Sequence, residues 1–410
     1  MTEPTAEMSE RWLTPGVRGI GTASFLADVG HEIPTALLPN LPTALLPNLL
    51  TATLGAPAAA LGLIEGIADG LAGATRLAGG AIADDPRRRR AQAVGGYTTT
   101  AVLSSLIGAA TSVWQVAVLR AGAWAARGLR VPARNALLAD IVSPAVYGRA
   151  YGFERAMDNL GAIVGPLLAL ALVGLVGTRT AIALSVIPGL LAALAIVYAI
   201  RHAPRAEERE RQPLRLRIRP VLTGRLGRLM VGVSAFEFGN VAATLLILRA
   251  SELLAPGRDR DRATELALGL YVAYNLAATV ASIPAGQLGD RRNPILVLVL
   301  GVGLFGLAYA GFAAGPRSVL ALAPWFLAAG VAIGCVETAE HAAVASLAPV
   351  ELRGSAFGLL AAVQSFGNLA ASAIAGLLWT LASPREAFGY LVGWMVLALV
   401  GLLAVGQQRP

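Results

Sequence analysis

The chain has 410 residues, of which 56% are hydrophobic and 14% are charged, and its formal net charge is +8. A soluble protein of this length carries about 25% charged residues, so the composition excludes an ordinary soluble enzyme or binding domain. Apolar stretches of about 20 residues, the length that crosses a hydrocarbon core of roughly 30 Å, recur along the whole chain and predict a polytopic membrane protein.

Helices are favoured over a β-barrel, because the apolar stretches show no alternation with a period of two and are rich in Ala, Leu, Gly and Val. Helices and closed barrels are the structures that satisfy every backbone group in lipid. We therefore predict an all-α protein with 12 transmembrane helices. The predicted spans are 19–50, 56–82, 93–112, 115–139, 150–175, 178–200, 229–250, 264–288, 295–314, 318–346, 355–381 and 387–406.

The first predicted span contains one sequence of eight residues twice, at 34–41 and 42–49. With both copies the span would be about 48 Å long, and with one copy about 36 Å, which suits a tilted helix. We interpret the repeat as an in-frame duplication that the outer end of the span tolerates; a functional kink from its prolines is the alternative. We expect a variant that lacks 42–49 to keep its activity, and a folded variant that loses activity would contradict this.

The arginines predict the orientation of the chain, which contains no lysine. Twenty arginines fall on one side of the predicted membrane and six on the other. The positive-inside rule places both termini in the cytoplasm, as segments 1–18 and 407–410. It also makes the polar stretch 201–228 a cytoplasmic linker between a bundle at 19–200 and a bundle at 229–406. The positions of the arginines are explained by the two sides of the predicted membrane, so the net positive charge does not indicate a nucleic-acid partner, and we expect none.

An internal repeat supports two equivalent halves. Gly80 and Asp84 recur 206 residues later as Gly286 and Asp290. The same offset relates three further glycine pairs: Gly148 and Gly354, Gly152 and Gly358, and Gly161 and Gly367. Half of the chain is about this long, so the repeat predicts two pseudo-symmetric six-helix bundles. Repeated halves around a site at the membrane midplane are typical of secondary transporters.

These residues resemble the major facilitator superfamily over essentially the whole chain. The family's signature after its second span is G-x-x-x-D-R-x-G-R-R, from which Asp85 and Arg87 depart. The positions that fit are Gly80, Asp84, Arg88 and Arg89 in the first copy, and Gly286, Asp290 and Arg291 in the second. A carboxylate that pairs with arginines at the cytoplasmic mouth could act as a latch between two transport states.

Two further motifs extend the resemblance to spans four and five. Arg120 resembles the family's fourth-span arginine, which is tied to proton coupling, and Gly161, Gly165 and Pro166 resemble the fifth-span motif that is typical of exporters working by antiport. The strings "FLADVGHE", "GLIEGIAD", "ERAMDNLGA" and "VETAEHA" resemble a little-characterised bacterial and archaeal permease subgroup.

The resemblance implies the major facilitator fold in the bacterial inner (plasma) membrane and transport by alternating access. It implies a monomer whose partners are a small-molecule substrate, protons and the lipid bilayer, with no cofactor and no enzymatic activity. It also implies that spans one, four, seven and ten line the central cavity.

Ionisable residues inside the spans are candidates for binding substrate and protons, because each costs about 2.5–3.5 kcal/mol at a helix centre. Asp28, His31 and Glu32 share one face of span one. The full candidate set is Asp28, His31, Glu32, Glu65, Asp69, Asp158, Glu237, Asn240, Glu337, Glu340 and His341. Buried carboxylates and histidines can exchange protons near neutral pH. We therefore expect a proton-coupled antiporter that exports small cationic or amphipathic organic molecules.

Three alternatives compete with this interpretation. Some charged residues can form structural ion pairs between helices: Glu65, Asp69, Arg76, Arg127, Arg130, Arg134 and Arg155. We expect a span-four arginine to pair with Glu154 or Asp158, whereas Asp28, Glu32 and Glu337 have fewer basic residues near their depth.

The second alternative is a divalent-metal exporter, since mixed imidazole and carboxylate ligands suit Zn, Ni or Mn. Its ligands would be His31, Glu32, Glu337, Glu340 and His341. No cysteine set accompanies them, and we expect no metal. The third is a membrane-embedded hydrolase with paired carboxylates. The chain lacks the Gly-x-Ser-x-Gly and His-Glu-x-x-His motifs that would favour it.

Overall fold

The computed structural model describes residues 12–35, 49–54, 58–203 and 215–406, and over these residues it contains helices and no strand. The first seven α-helices are α1 (Pro15–Thr35), α2 (Ala58–Ala83), α3 (Pro86–Leu106), α4 (Val113–Ile141), α5 (Tyr147–Val176), α6 (Thr178–Leu184) and α7 (Val186–Arg201). The others are α8 (Ile218–Val221), α9 (Gly224–Glu237), α10 (Ala243–Leu254), α11 (Arg260–Arg291), α12 (Pro294–Ala314), α13 (Val319–Leu347), α14 (Arg353–Leu381) and α15 (Pro384–Gly406).

Spans one, six and seven differ from the single helices that the sequence predicts. Span one is described as α1 followed by a π-helical turn at Leu49–Thr53, and most of the doubled stretch lies outside the described residues. Span six is divided into α6 and α7 at Ser185. Span seven is divided into α9 and α10 by the non-helical residues 238–242. A break within an apolar span leaves backbone groups that other side chains must satisfy.

Within the described residues, seven helical segments are long and apolar enough to cross a membrane. They are Pro144–Val176, Thr178–Arg201, Arg260–Arg291, Pro294–Ala314, Val319–Leu347, Val350–Leu381 and Pro384–Gly406. Helices α1 and α4 have similar lengths but carry more ionisable side chains. Leucines such as Leu175 and Leu320 are more than four-fifths exposed, as expected of side chains that face lipid.

Helices α3 and α12 begin in the same way, with a capping side chain followed by proline. The Asp85 carboxylate accepts a hydrogen bond from the Arg87 N–H at 2.9 Å, and the Asn293 side chain accepts one from the Ile295 N–H at 2.9 Å. Such caps satisfy donors that have no partner inside the helix. Proline fits the first helical position because its missing N–H would not be bonded there.

The described residues form two compact units. The first unit falls within Met1–Pro144, Met157–Ile218 and Pro349–Ala362, and the second within Ala145–Ala156, Arg219–Ala348 and Val363–Pro410. In the first unit, α2 and α3 pack on α4, and α1 and α3 pack on α7. In the second, α13 packs on α11 and α12, and α15 packs on α9 and α12. The start of α14 thus belongs to the first unit, and the start of α5 to the second.

Glycines allow these helices to approach closely. In the first unit, a Cβ atom on Gly80 would lie 2.7 Å from the Gly354 carbonyl oxygen and 2.9 Å from Gly358 Cα. In the second unit, a Cβ atom on Gly286 would lie 3.0 Å from the Arg149 backbone nitrogen. The repeated signature glycines are therefore contact points between backbones, which a larger side chain would push apart.

Candidate functional site

In the first unit, Asp28 of α1 is buried and pairs with an arginine of α4. Arg127 Nη2 lies 3.3 Å from Asp28 Oδ1. The expectation that Asp28 has few basic neighbours is wrong, because α4 carries an arginine on the face that meets α1. A buried charge keeps its ionised form only when it has such a partner.

The Trp124 indole lies at the centre of a polar cluster between α1, α2 and α4. Its Nε1–H donates to Asp69 Oδ1 at 2.6 Å, and the His31 ring centroid lies 4.4 Å from its own. The buried Arg120 guanidinium lies 3.5 Å from the Trp124 ring centroid, a cation–π contact. We call these residues, Asp28, His31, Asp69, Arg120, Trp124 and Arg127, the first-unit cluster. It holds Arg120, the residue that the resemblance ties to proton coupling, against an aromatic face.

Further arginines of α4 are held in the same unit. Arg134 Nη1 lies 3.8 Å from Asp158 Oδ1 and donates to Ser24 Oγ at 2.9 Å. This confirms the expected pairing of a span-four arginine with Asp158 of span five. The Arg130 guanidinium stacks 4.0 Å above the Tyr97 ring of α3. Arg130 and Arg134 of α4 thus contact side chains of α1, α3 and α5.

The fifth-span motif brings α5 against the charged face of α1. A Cβ atom on Gly161 would lie 2.8 Å from Asp28 Cβ, and one on Gly165 would lie 3.2 Å from Glu32 Cγ. Pro166 follows within α5, where it removes one helical hydrogen bond. Glu32 thus packs against the backbone of α5 at Gly165, where a larger residue would not fit. Glu65 belongs to α2, but its side chain lies outside the described residues.

In the second unit, α13 places Glu337, Glu340 and His341 near α5 and α14. Gln364 donates from Nε2 to Glu340 Oε1. The Nδ1–H of His341 donates to the Glu337 carbonyl oxygen at 2.6 Å and lies 3.8 Å from Glu340 Oε1. The Tyr151 ring of α5 lies 5.8 Å from the His341 ring. Sequence reasoning missed Gln364, an uncharged residue that no pattern distinguishes.

Arg155 of α5 is the basic residue that lies beside these acidic side chains. Its Nε and Nη2 atoms donate to the two oxygens of Glu154 at 2.7 and 2.8 Å, while its Nη1 lies 3.9 Å from Glu337 Oε2. Glu237 of α9 is close enough to act electrostatically on Glu340. We call these residues, Glu154, Arg155, Glu237, Glu337, Glu340 and His341, the second-unit cluster. It contains four carboxylates and one guanidinium.

Glu237 and Asn240 lie at the break between α9 and α10. Asn240 Nδ2 donates to Glu237 Oε2 at 3.0 Å. Side chains from α12 and α14 satisfy the backbone of the break: Tyr309 accepts from the Val241 N–H at 3.3 Å, Ser372 accepts from the Ala242 N–H at 2.9 Å, and Asn368 donates to the Asn240 carbonyl at 2.8 Å. Broken helices commonly form ion and substrate sites in secondary transporters. The turn-forming pair Gly239–Asn240 was the available sequence signal for this break.

The first signature carboxylate caps the start of α14. Asp84 accepts hydrogen bonds from the Ser355 backbone N–H at 2.8 Å and from Ser355 Oγ at 2.5 Å. Burial raises the pKa of Asp84 above its ordinary value of 3.8, an effect that the two hydrogen bonds from Ser355 oppose. The carboxylate therefore bears a burial cost that these donors partly offset.

The second signature carboxylate caps the start of α5 in the same way. Asp290 accepts from the Gly148 N–H at 2.6 Å, the Arg149 N–H at 3.1 Å and Arg149 Nε at 2.8 Å. Both signature carboxylates thus lie at helix N-termini, where the helix dipole favours negative charge. Arg291, which also fits the signature, is exposed.

Arg88 and Arg89 have different environments. Arg88 is exposed and lies 3.5 Å from Asp85, whereas Arg89 is buried, donates to the Ala83 carbonyl at 2.7 Å and pairs with Asp140 at the end of α4. Arg353 at the start of α14 lies 3.4 Å from the same Asp140 carboxylate. The sequence assigned a gating role to Arg88, but Arg89 is the arginine bonded between helices. A lone carboxylate at the end of span four, Asp140, was the signal for its partner.

Within each unit taken by itself, the candidate ligands of a metal-ion exporter are not gathered into a metal site among the described residues. In the parts of the chain that the structure describes, no three His, Cys, Asp or Glu side chains come together as ligands. His341 has its Nδ1–H directed at a backbone carbonyl. The geometry thus gives no support to the metal-exporter alternative.

The chain matches known proteins over most of its length. The family model of the Major Facilitator Superfamily matches residues 23–254 and 229–410. An uncharacterized MFS-type transporter of Methanocaldococcus jannaschii is 27% identical over 408 residues, which cover 96% of this chain and 95% of that protein.

Two solved structures are similar in fold. The human organic anion transporter MFSD10 gives a TM-score of 0.70 at 16% identity, with 95% of this chain and 99% of that chain covered. A bacterial homologue of the iron transporter ferroportin, in an outward-facing state, gives a TM-score of 0.72 at 18% identity, with 96% of this chain and 100% of that chain covered. These matches confirm the predicted fold class, an all-α multi-pass membrane protein. The chain belongs to the major facilitator superfamily, and it is a transporter.

Proposed function

We propose that the protein is a proton-coupled antiporter, which exports small cationic or amphipathic organic molecules across the plasma membrane by alternating access. In this proposal both termini are cytoplasmic. The protein acts as a monomer with one substrate site. The bundles 19–200 and 229–406, which the linker 201–228 joins, rock about that site. The partners are the substrate, protons and lipid.

The surplus of carboxylates in the second-unit cluster carries this proposal. Its four carboxylates face one guanidinium, Arg155, which already makes two hydrogen bonds to Glu154. An ionised carboxylate with an unsatisfied oxygen is costly in a low-dielectric region, so Glu340, whose Oε2 has no hydrogen-bond partner among the described residues, can bind a proton or a cation. A site that can hold either one fits exchange of a proton for a cationic substrate.

A second candidate is transport of an organic anion, which the arginines of α4 and the description of the human neighbour favour. Against it, Arg127 and Arg134 pair with carboxylates, and Arg120 and Arg130 stack on aromatic rings. Arg127 and Arg134 therefore already have acidic partners within the first unit. This leaves the acidic surplus of the second unit to select the substrate.

Liposomes containing the purified protein and a trapped pH dye test the two candidates. With an imposed pH gradient, ethidium, a permanent cation, is expected to drive proton movement, and benzenesulfonate, a permanent anion, is not. Protein-free liposomes provide the baseline, and the Glu265→Gln variant, altered in an exposed ion pair of α11, is expected to behave like the wild type. Proton movement with benzenesulfonate alone would replace the cation proposal, and movement with neither probe would remove proton coupling.

A further inference from the structure

Glu340 is the most deeply buried carboxylate of the second-unit cluster, with an exposure of 0%. Its Oε1 accepts a hydrogen bond from Gln364, and its Oε2 is a buried atom with no hydrogen-bond partner among the described residues. An ionised carboxylate accepts through both oxygens, so an unsatisfied oxygen in this environment is costly. A proton on Oε2 would remove the charge and most of that cost.

The charged and titratable groups around Glu340 are mostly acidic, and the cation that acts electrostatically on it is Arg155. The neighbours on α9 and α13, Glu237 and Glu337, are acidic, and the Nδ1–H of His341 is bonded to a backbone carbonyl. On α5, Arg155 is bonded to Glu154 through Nε and Nη2. On α11, the Tyr274 phenol is close enough to interact electrostatically with Glu337, and on α14 the neighbouring group is the neutral Gln364.

Glu337 differs from Glu340 in its accessibility. Its side chain is 29% exposed, and its contact with Arg155 Nη1 is long, at 3.9 Å. The two glutamates are three positions apart on α13 and therefore lie on the same helical face. The outer carboxylate of this pair is therefore partly exposed, whereas the inner one is fully buried.

From this arrangement we infer a division of roles, which rests on the proposed function: Glu340 binds the coupling proton, and Glu337 binds the positively charged group of an organic monocation. Each ligand adds one positive charge to the cluster, so the proton on Glu340 and the monocation at Glu337 oppose each other's binding. When the monocation occupies Glu337, its charge allows Glu340 to release the proton, and when the proton returns, the attraction for the monocation falls. The substrate class is therefore a singly charged organic cation, and Gln364 is a positioning residue that holds Glu340 through Oε1.

Binding of ethidium to the purified full-length protein in detergent, with a pH dye in weakly buffered solution, separates the two roles. The wild type is expected to release about one proton for each ethidium bound, and its affinity is expected to rise with pH. In Glu340→Gln, binding should persist, lose its pH dependence and release no proton. In Glu337→Gln, affinity should fall at least tenfold at every pH. The Glu265→Gln variant should match the wild type.

A variant of Gln364 keeps the inference testable where Glu340→Gln does not fold. Gln364→Leu removes the donor that favours the ionised Glu340, so the pH midpoint of ethidium binding should move upward. Proton release that persists in Glu340→Gln, or an unchanged midpoint in Gln364→Leu, would overturn the role of Glu340. Wild-type affinity in Glu337→Gln would overturn the role of Glu337. If binding follows the expected pattern but ethidium drives no proton movement in liposomes, the site assignment stands and the proposed antiport fails.

Discussion

Replacing Arg155 with glutamine is expected to lower the free energy of unfolding by about 3–5 kcal/mol, the cost of removing one partner of a buried ion pair. Arg155 binds both oxygens of Glu154, whose side chain is 1% exposed. The variant keeps the buried carboxylate but removes the guanidinium that compensates its charge. Thermal unfolding of the purified protein in detergent would measure this as a large decrease in Tm.

The double variant Glu154→Gln, Arg155→Gln tests whether the loss comes from the uncompensated charge. Because both ionised groups are then absent, it is expected to recover most of the stability lost in the single variant. Arg262→Gln is the matched control, since Arg262 and Glu265 form an exposed pair at 2.8 Å that contributes about 1 kcal/mol or less. A single variant as stable as the wild type would show that Glu154 is neutral or otherwise compensated.

The positions of most helices could be predicted from the sequence, but the partners of the buried charges could not. Apolar length predicts where a helix lies, while the rotation of each helix about its axis depends on packing. Asp28 and Arg127 illustrate this, since they are 99 positions apart and meet because α1 and α4 present matching faces. The number of residues between Asp28 and Arg127 does not indicate whether their helices turn these two side chains towards each other.

The signature residues also show that a sequence motif does not determine which of two adjacent side chains is buried. The repeat predicted equivalent roles for Asp84 and Asp290, and both cap helix N-termini in the structure. The motif did not distinguish Arg88 from Arg89, because successive residues on a helix point about 100° apart and packing decides which one is buried. The break at 238–242 was missed because its turn residues, Gly239 and Asn240, lie inside an otherwise apolar run.

Replacing Asp290 with alanine is expected to destabilise the conformation that holds its contacts by at least about 2 kcal/mol, since a single hydrogen bond to a charged group contributes about 1.5–3 kcal/mol. The backbone N–H groups of Gly148 and Arg149 and the Arg149 side chain all donate to this carboxylate. If the bundles predicted at 19–200 and 229–406 rock during transport, this contact must break and re-form. A loss of about 2 kcal/mol would then shift the balance between the two states by roughly thirtyfold.

The initial rate of ethidium transport and the Tm of the purified protein together measure this effect. We expect Asp290→Ala to lower both, and Arg292→Gln, which changes an exposed neighbouring arginine, to lower neither. Wild-type transport and Tm in Asp290→Ala would show that the contact holds neither the fold nor a transport state. A lower Tm with an unchanged rate would assign the contact to folding alone.

The equivalent contact at Asp84 should respond differently to the loss of charge and to the loss of the acceptor. Burial raises the pKa of Asp84, so its ionised form carries a cost in the folded protein. Asp84→Asn removes that cost and retains one oxygen for the Ser355 N–H, whereas Asp84→Ala removes every acceptor. We therefore expect Asp84→Ala to lose transport and stability and Asp84→Asn to lose much less. Equal losses in the two variants would show that the charge at the start of α14 matters more than its hydrogen bonds, in line with a helix-dipole effect.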